Sequence, residues 1–388
     1  MGNISESKHQ VCSRCIFDTS IPEICFDESG ICNFCATVEE LKLTYGTASR
    51  KGKLEIENIL NQIKIAGKDK KYDCIVGVSG GVDSSYMLHW AVENGLRPLA
   101  VHYDNTWNSE IATMNIAAVT NKLGVDLATY VVNNREMDQI YHCFLKAGVP
   151  AIDIVTDLGF TEVLYRYSKQ YKIKYVLEGH SFIEEGVSPV SYSYFDGKYI
   201  ADVCAKNGLK SFSSYPNMTL WRFLYWTLFA RIKKIRPYWY IDYSKQTARQ
   251  VLEQNYGWRY YGGHHLENRM TAFSYSYHNP KKFGMDQRNN LLSAQCRNGY
   301  ITQERALEEY ARGPKISNDL VRFVQNRLDI TDEKLNEFIK SENRSWRDFE
   351  TYKPTFELLK PLFFVMAKLN LVPMSFYRKY CFKIGVEK

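Results

Sequence analysis

The chain has 388 residues, of which 45% are hydrophobic, and its 50 basic and 43 acidic residues give a formal net charge of +7. This length can bury the cores of two domains or of one large domain, and the mixed charges allow an anionic substrate without demanding nucleic acid. Because no run of about 18 apolar residues occurs and the first twenty residues are polar, we predict neither a membrane-spanning helix nor a signal peptide, and expect a cytoplasmic protein.

Four of the ten cysteines form two C-x-x-C pairs near the N-terminus. Cys12 and Cys15 make the first pair, and Cys32 and Cys35 make the second after sixteen intervening residues. Two residues between cysteines let both thiolates point to one metal, and two such pairs complete a tetrahedral site with no open position. We therefore predict a zinc ribbon within residues 1–50 that serves folding, docking or partner recognition, and not catalysis.

A glycine pair follows the first strand-like segment of the chain. Residues 73–78 are apolar and rich in β-branched side chains, which predicts a buried parallel strand, and residues 83–93 have the apolar spacing of a helix. Gly80 and Gly81, between them, let backbone amides approach an anion, and the N-terminus of the following helix adds partial positive charge. The predicted phosphate-binding residues are Val78, Ser79, Gly80, Gly81, Val82, Asp83 and Ser84.

The residues from Ser79 to Ser84 resemble the S-G-G-x-D-S signature of the ATP pyrophosphatases, the PP-loop superfamily. The resemblance implies that the loop holds the β and γ phosphates of ATP, and that cleavage between the α and β phosphates passes AMP to a substrate oxygen. Ser79 and Asp83 are then candidate catalytic residues, and the Asp83 carboxylate is a candidate ligand of Mg²⁺.

Further strands and helices alternate after the loop. Residues 96–105, 126–134 and 173–185 read as strands, and residues 161–171 read as a helix. This alternation predicts an α/β fold with a Rossmann-like, doubly wound parallel sheet, whose ligand lies at the carboxyl ends of the strands. We expect Asp104 and Gly179, which follow two of these strands, to lie beside the nucleotide.

Three features of the sequence point to one family within this superfamily. The cysteine pairs, the segment YDNTWNSE at 103–110 and above all residues 257–307 are similar to the N-acetyl sugar amidotransferases of surface polysaccharide and flagellin glycan synthesis. This similarity runs from about Cys12 to about Pro314. It implies conversion of a sugar's acetamido group to an acetamidino group, in lipopolysaccharide O-antigen or flagellin glycan synthesis. In that family a separate glutaminase subunit usually supplies the ammonia.

Two short segments depart from the pattern of that family. Where the family has Asp-Asn-Gly-Trp, this chain has Thr106 in place of the glycine. Where the family has an Asn-Gly-Gly-Asn-like run, residues 178–181 of this chain begin with an acid. These departures bear on the identity of the sugar, because both segments should lie near the nucleotide or the substrate. The candidate substrate-binding residues are Trp107, Asn108, Glu178, Tyr261, His264, His265, Glu267, Arg269, Lys281 and Arg288. Lys282 is a candidate catalytic residue, because the triphosphate must be neutralised by Mg²⁺ and basic side chains.

The second half of the chain has fewer diagnostic features. We expect residues 51–205 to form the ATP-binding domain and residues 206–388 a mainly helical region for substrate or partner. Residues 210–245 are dense in aromatic and basic side chains, and we favour an amphipathic helix over a membrane- or nucleic-acid-binding segment. Its predicted inner face is Leu220, Phe223, Leu224, Thr227, Leu228 and Ile232. Residues 345–383 read as apolar, basic helices that could dock a glutaminase or membrane-bound machinery.

Two other functions share the loop. A tRNA-modifying enzyme of the thiolation or lysidine type could use it, but the cysteines beyond the loop are isolated and no strongly basic domain is present. A nucleotide-binding scaffold without catalytic activity is the other. The intact loop disfavours the scaffold, so an enzyme acting on an acidic or nucleotide-linked N-acetyl sugar is the prediction, with no nucleic acid as partner.

Overall fold

Five parallel strands form the central sheet of the structure, a computed structural model that describes residues 9–189, 194–263, 266–369 and 371–383. The strands are β1 (Cys74–Gly77), β2 (Pro98–Asp104), β3 (Leu127–Val131), β4 (Tyr175–Leu177) and β5 (Lys233–Ile235). Their order across the sheet is β3-β2-β1-β4-β5, and each neighbouring pair is parallel. The predicted α/β class with a doubly wound parallel sheet is confirmed.

Helices connect the strands and make up most of the second half of the chain. The first ten are α1 (Asn33–Tyr45), α2 (Arg50–Gly67), α3 (Val82–Glu93), α4 (Glu110–Leu123), α5 (Asn134–Ala147), α6 (Ile154–Gln170), α7 (Phe182–Glu185), α8 (Gly197–Lys206), α9 (Leu220–Leu224) and α10 (Lys245–Tyr256). They are followed by α11 (Arg269–Phe273), α12 (Asn279–Phe283), α13 (Arg288–Arg297), α14 (Gln303–Ala311), α15 (Asn318–Leu328), α16 (Asp332–Lys340), α17 (Lys353–Leu358), α18 (Lys360–Lys368) and α19 (Met374–Tyr380). Single π-helical turns continue α9 and α11, at Tyr225–Phe229 and Ser274–His278.

Alternate side chains of the central strands point into two apolar cores, one on each face of the sheet. Ile75 and Val176 face the core that contains α5 and α6, whereas Val76 and Leu177 face the core that contains α2, α3 and α10. Both faces of the strands are therefore buried. This explains why the β1 sequence is a continuous apolar run and not an alternation of apolar and polar residues.

The strand order reverses between β1 and β4. Val76 of β1 lies opposite Ala100 of β2 on one side and opposite Leu177 of β4 on the other. The chain moves outward from β1 to β3 and then returns to the other side of β1 to form β4 and β5. Ligands of such sheets bind outside the carboxyl ends of the strands at this point, and the glycine loop that follows β1 lies there.

The long amphipathic helix predicted within residues 210–245 is shorter than expected. The helical run ends at Phe229, and Arg231 has a left-handed φ of 52° that turns the chain back to begin β5 two residues later. The prediction missed this because an edge strand of three residues is too short to leave a period-2 pattern. The sheet therefore includes residues beyond 205. The division into 1–50, 51–205 and 206–388 stays a prediction.

The N-terminal module has a small core of its own. The four paired cysteines pack with Phe17 and Phe34, whose rings meet edge to face with centroids 5.3 Å apart. Cys32 is the N-cap of α1, and Ser49 is the N-cap of α2. Within the described ranges, no helix is both long and apolar enough to cross a membrane.

Candidate active site

The loop between β1 and α3 requires glycine at its first apex. Gly80 has a φ of 83°, and a Cβ atom built on it would lie 2.3 Å from the carbonyl oxygen of Ala112 in α4. The carbonyl oxygen of Gly80 accepts hydrogen bonds from Trp258 Nε1 at 3.0 Å and from Asn115 Nδ2 at 3.3 Å. Gly80 is therefore buried, and the close packing on Ala112 together with these two hydrogen bonds holds the loop in place.

Hydrogen bonds to the two serines of the loop hold its ends together. The backbone N–H of Ser79 donates to Ser84 Oγ at 3.1 Å, and the N–H of Gly81 donates to Ser79 Oγ at 3.3 Å. Gly81 is the N-cap of α3 and has no side chain to satisfy the first amides of that helix. The partial positive charge of these amides is directed at the loop, as a phosphate-binding turn requires.

Gly179, at the end of β4, is brought against the same helix. A Cβ atom on Gly179 would lie 2.6 Å from the carbonyl oxygen of Asp83. The close approach of two backbones explains the need for glycine here. It also confirms that the ends of β1 and β4 converge, although nucleotide binding at Gly179 stays a prediction.

Asp83 makes two polar contacts in this structure. Its Oδ2 lies 2.7 Å from Lys245 Nζ, and its Oδ1 accepts a hydrogen bond of 2.5 Å from the Tyr243 hydroxyl. Burial lowers the pKa of Lys245, but the carboxylates of Asp83, Glu185 and Glu267 together outweigh burial and raise it, so this ammonium is charged at neutral pH. Each oxygen of the Asp83 carboxylate keeps a further lone pair beside these partners, so its role as a magnesium ligand stays a prediction, and we derive no step through that ion.

Aromatic side chains support this acid from the second half of the chain. The rings of Tyr238 and Tyr243 stack with centroids 3.7 Å apart, and the Tyr238 hydroxyl donates to the Asp83 carbonyl oxygen at 2.9 Å. Tyr243 and Lys245 are not among the residues predicted from the sequence. The run YWYIDYSK at 238–245 is the part of the sequence that could have revealed them. Residues that follow a fifth parallel strand must lie at the same carboxyl edge of the sheet as the loop.

Tyr261 and Glu267 lie on the loop, and substrate binding by these two residues stays a prediction. A Cβ atom on Gly81 would lie 3.0 Å from Glu267 Oε1 and 3.2 Å from the Tyr261 hydroxyl, which also contacts the backbone of Val82. Burial raises the pKa of Tyr261, so the hydroxyl is a neutral donor or acceptor. The predicted residues His264 and His265 lie outside the described residues.

Glu178 binds two cations that come from β5 and the residue after it. Its carboxylate lies 2.5 Å from Lys234 Nζ and 3.0 Å from Arg236 Nε. Burial by itself raises the pKa of Glu178, but these two cations outweigh it and lower the pKa to about 2. The acid is therefore a charged, paired group, and the prediction that it binds substrate finds no support in this geometry.

Residues at and just after the end of β2 contact the segment that leads into α11. Asp104 Oδ1 accepts a hydrogen bond of 2.7 Å from the backbone of Thr106, which has a left-handed φ of 66°. Glycine, the residue of the family pattern at this position, would adopt that φ without strain. Asn108 forms an isolated β-bridge with Asn268, next to Glu267, and its Nδ2 lies 3.2 Å from His102 Nε2. Asp104 and Asn108 thus lie at the predicted edge of the sheet.

Trp107 is a core residue in this structure. Its side chain is fully buried, its Nε1 donates to Asp138 Oδ1 at 2.8 Å, and the Arg327 guanidinium lies 4.1 Å from the ring centroid. The predicted contact with substrate is therefore corrected to packing between α5 and α15. A sequence does not show whether a tryptophan side chain faces a ligand or packs in a core. The residues around Trp107 therefore could not have corrected this prediction.

Four further candidates have structural contacts instead of contacts with the loop. Lys282 Nζ donates to the carbonyl oxygens of Phe338 and Ser341, at 2.9 and 2.7 Å, where α16 ends. The predicted catalytic role of Lys282 is unsupported, because its ammonium caps a helix C-terminus. The other three are Arg288, paired with Asp286; Arg269, over the Phe323 ring; and Lys281, over the Tyr277 ring.

The predicted zinc ligands form one tight cluster. The sulfur atoms of Cys12 and Cys35 lie 3.9 Å apart, those of Cys15 and Cys32 lie 3.8 Å apart, and all four lie within 4.8 Å of one another. Four sulfurs bound at about 2.3 Å to a tetrahedral zinc ion would be separated by about 3.8 Å. The donor set and its burial fit a structural zinc ion, which would stabilise the module.

A comparison with known protein families finds a match for part of the second half of the chain. Residues 267–362 match the model of the C-terminal domain of the WbpG-like LPS biosynthesis proteins. This part of the chain is similar to that domain. The match starts at Glu267, whose carboxylate lies over the loop, and it overlaps the stretch 257–307 on which the similarity to surface-polysaccharide enzymes rests. That similarity is therefore confirmed at the level of lipopolysaccharide biosynthesis, and we call residues 267–362 the WbpG-like region.

Solved structures that match this chain include an NMN synthetase, a tRNA thiolase and an NAD synthetase. An NMN synthetase from Francisella tularensis is 14% identical over 73% of this chain and 95% of its own, with a TM-score of 0.31. The tRNA thiolase NcsA from Methanococcus maripaludis, with its [4Fe-4S] cluster, is 14% identical over 77% and 91%, with a TM-score of 0.31. An NAD synthetase from Campylobacter jejuni is 13% identical over 76% and 98%, with a TM-score of 0.28. Scores this low carry no argument here, and curated proteins gave no match.

The WbpG-like region packs directly against the cysteine cluster. Arg297, at the end of α13, is buried and its Nε donates to Cys35 Sγ at 3.3 Å. Gln303 Nε2, at the start of α14, donates to the carbonyl oxygens of Cys12 and Cys15 at 2.6 and 2.8 Å. A four-thiolate metal site carries net negative charge, so the guanidinium offsets it. The cluster therefore joins the N-terminal module to the WbpG-like region.

Proposed function

We propose that the protein is an ATP-dependent amidotransferase that converts the acetamido group of an N-acetylated sugar to an acetamidino group. The observation that carries the proposal is the glycine loop at the reversal of strand order, with Tyr261 and Glu267 of the adjoining segment resting on it. The loop supports anion binding, and the WbpG-like region supports a sugar of lipopolysaccharide synthesis. The O-antigen or flagellin glycan as product, an acidic or nucleotide-linked sugar as substrate, and a cytoplasmic location are parts of the same proposal.

The reaction has two steps that replace the amide oxygen by nitrogen. The acetamido oxygen attacks the α-phosphorus of ATP, a new P–O bond forms, the bond to the bridging oxygen breaks and pyrophosphate leaves. Ammonia then adds to the activated carbon, and AMP leaves with the former amide oxygen. Adenylation is needed because an amide oxygen by itself is too poor a leaving group for ammonia to displace.

Residues of this chain have separable tasks in the proposal. The amides of the loop and of the first turn of α3 bind the β and γ phosphates, and the side chain of Ser79 keeps the loop folded around them. Lys245, oriented by Asp83, adds positive charge where pyrophosphate develops. Tyr261 and Glu267, which lie against Gly81 of the loop, would position the acetamido group.

Ammonia comes from a separate glutaminase subunit in this proposal. The cysteines outside the zinc pairs lack the flanking glycines of a glutaminase nucleophile elbow. High concentrations of an ammonium salt should therefore replace the partner in an assay with the purified chain.

Mass spectrometry of candidate substrates tests the proposal. A panel of N-acetylated sugars, including nonulosonic acids and nucleotide-linked uronic acids, is incubated with the protein, Mg-ATP and ammonium, while AMP and pyrophosphate are followed. We expect a product in which one oxygen is replaced by NH, formed together with AMP. Asp83→Ala and Gly81→Val should abolish both, whereas Asp126→Ala, a change at an exposed acid after α4, should abolish neither.

Other outcomes of this experiment would contradict the proposal. AMP formation that requires tRNA and ignores every sugar would favour an RNA-modifying enzyme. Full activity of soluble Gly81→Val protein would remove the loop from the reaction. Release of ADP and phosphate in place of AMP and pyrophosphate would exclude adenylation altogether.

A further inference from the structure

The helices near the C-terminus expose apolar side chains on one face. Leu358, Leu362 and Val365 are spaced by four and three residues along α17 and α18, and Leu358 is 79% exposed. The opposite face of α18 is buried through Phe363 and Met366. A helix that is apolar on both faces is unusual at a protein surface, because the apolar side chains of its outer face stay in contact with water and gain no free energy of burial.

A second apolar ridge lies on the helical run that packs into the same cluster. Leu220 and Phe223 of α9 pack into the core formed by α17, α18 and α19, whereas Trp221 and Phe229 are 79% and 77% exposed. Trp221 and Phe229 are two helical turns apart, and Tyr225 lies between them. Two elements that share one buried cluster thus both present large apolar side chains to solvent.

Basic residues predominate around these ridges. Residues 203–241 contain seven basic and no acidic residues, and residues 358–383 contain five basic and no acidic residues. Glu357, which adjoins Leu358, pairs with Lys353. Several of these cations are used internally: Arg222 pairs with Glu162, and Lys234 and Arg236 pair with Glu178. Arg231 and Lys368 are exposed beside the ridges, so the surface is apolar and cationic at once.

We propose that these two ridges, Trp221–Phe229 and Leu358–Val365, form a docking surface for an anionic lipid bilayer. Exposed tryptophan, phenylalanine and leucine side chains flanked by lysine and arginine are the composition of helices that lie in the bilayer interface. The indole and phenol rings suit the headgroup region, and the cations are attracted to the negative surface potential of acidic lipids. No described helix can cross a membrane, so the contact is peripheral. This inference is independent of the reaction proposed above.

Flotation with lipid vesicles tests the docking surface. We expect the full-length protein to float with vesicles of phosphatidylcholine and phosphatidylglycerol, to bind pure phosphatidylcholine much more weakly, and to lose binding as salt rises. The paired variants Trp221→Ser with Phe229→Ser, and Leu358→Gln with Val365→Gln, should each weaken binding to anionic vesicles at least about tenfold, because each removes two side chains that would insert. Circular dichroism and the thermal midpoint should stay unchanged, since all four side chains are exposed.

Matched changes elsewhere give the control. Leu43 and Ile65 are 76% and 75% exposed on α1 and α2, and Leu43→Gln with Ile65→Gln should leave vesicle binding intact. An equal loss in this control, or no binding to any vesicle, would overturn the proposal. A dimer in solution that dissociates in the ridge variants would also overturn it, because the ridges would then be covered by a second copy of the chain.

Discussion

The partly buried acid Glu178 gives the sharpest test of the electrostatics at the carboxyl edge of the sheet. Glu178→Gln removes the charge that pairs with Lys234 and Arg236 while keeping the shape of the side chain. A pKa lowered from 4.5 to about 2 corresponds to about 3 kcal/mol of extra stability for the charged form in the folded protein. We therefore expect the variant to lose about 3 kcal/mol in the free energy of unfolding near pH 7.

The pH dependence of this loss has a definite sign. Because the folded-state pKa is lowered, the stabilisation is present above the ordinary pKa of 4.5 and is lost as the pH falls toward 2. Urea unfolding of the wild type and of Glu178→Gln should give a difference that shrinks by roughly 1 kcal/mol between about pH 7 and about pH 3.5. Glu57→Gln, at an exposed acid of α2, is the control and should cost little at either pH. A difference that is the same at both pH values would refute the assignment of the stability to this ion pair.

Three further changes test separate parts of the structure. Gly80→Ala should reduce pyrophosphate release at least about tenfold, because its Cβ would lie 2.3 Å from a backbone oxygen, whereas Gly124→Ala should cost only about 1 kcal/mol of stability. Gly124 has the same left-handed φ but no atom near its Cβ, so equal loss of activity would contradict the steric argument. Cys12→Ser should lower both the zinc content found by elemental analysis and the thermal midpoint, and Cys25→Ser, outside the cluster, should change neither. Lys282→Met should lower the unfolding free energy by about 1–2 kcal/mol without slowing pyrophosphate release, and slower turnover in folded protein would restore a catalytic role.

The parts of the fold that the sequence predicted well are those with strong local patterns. The apolar β1 segment, the glycine loop and the two cysteine pairs each have a spacing with few physical alternatives, and each lies where it was expected. β5 was missed because three residues at a sheet edge carry no periodicity, and because the chain reaches it directly from a helical run.

Three site predictions that the geometry does not support share another cause. Trp107, Lys282 and Glu178 were chosen for residue types that suit a sugar or a phosphate, but their partners come from distant parts of the chain. Asp138 binds Trp107, the end of α16 accepts from Lys282, and β5 and the residue after it supply the cations for Glu178. Side-chain chemistry is visible in a sequence, whereas the choice between a ligand and a distant core partner is settled by tertiary structure.

The fate of the acetamido oxygen tests the central claim most directly. N-acetylated sugars carrying an oxygen isotope label in the acetamido carbonyl would be incubated with the protein, Mg-ATP and ammonium, and the label would be followed by mass spectrometry. The account predicts that the label leaves the sugar and appears in AMP, with pyrophosphate formed in equal amount. Label that stays in the sugar while AMP accumulates would contradict adenylation of the acetamido group.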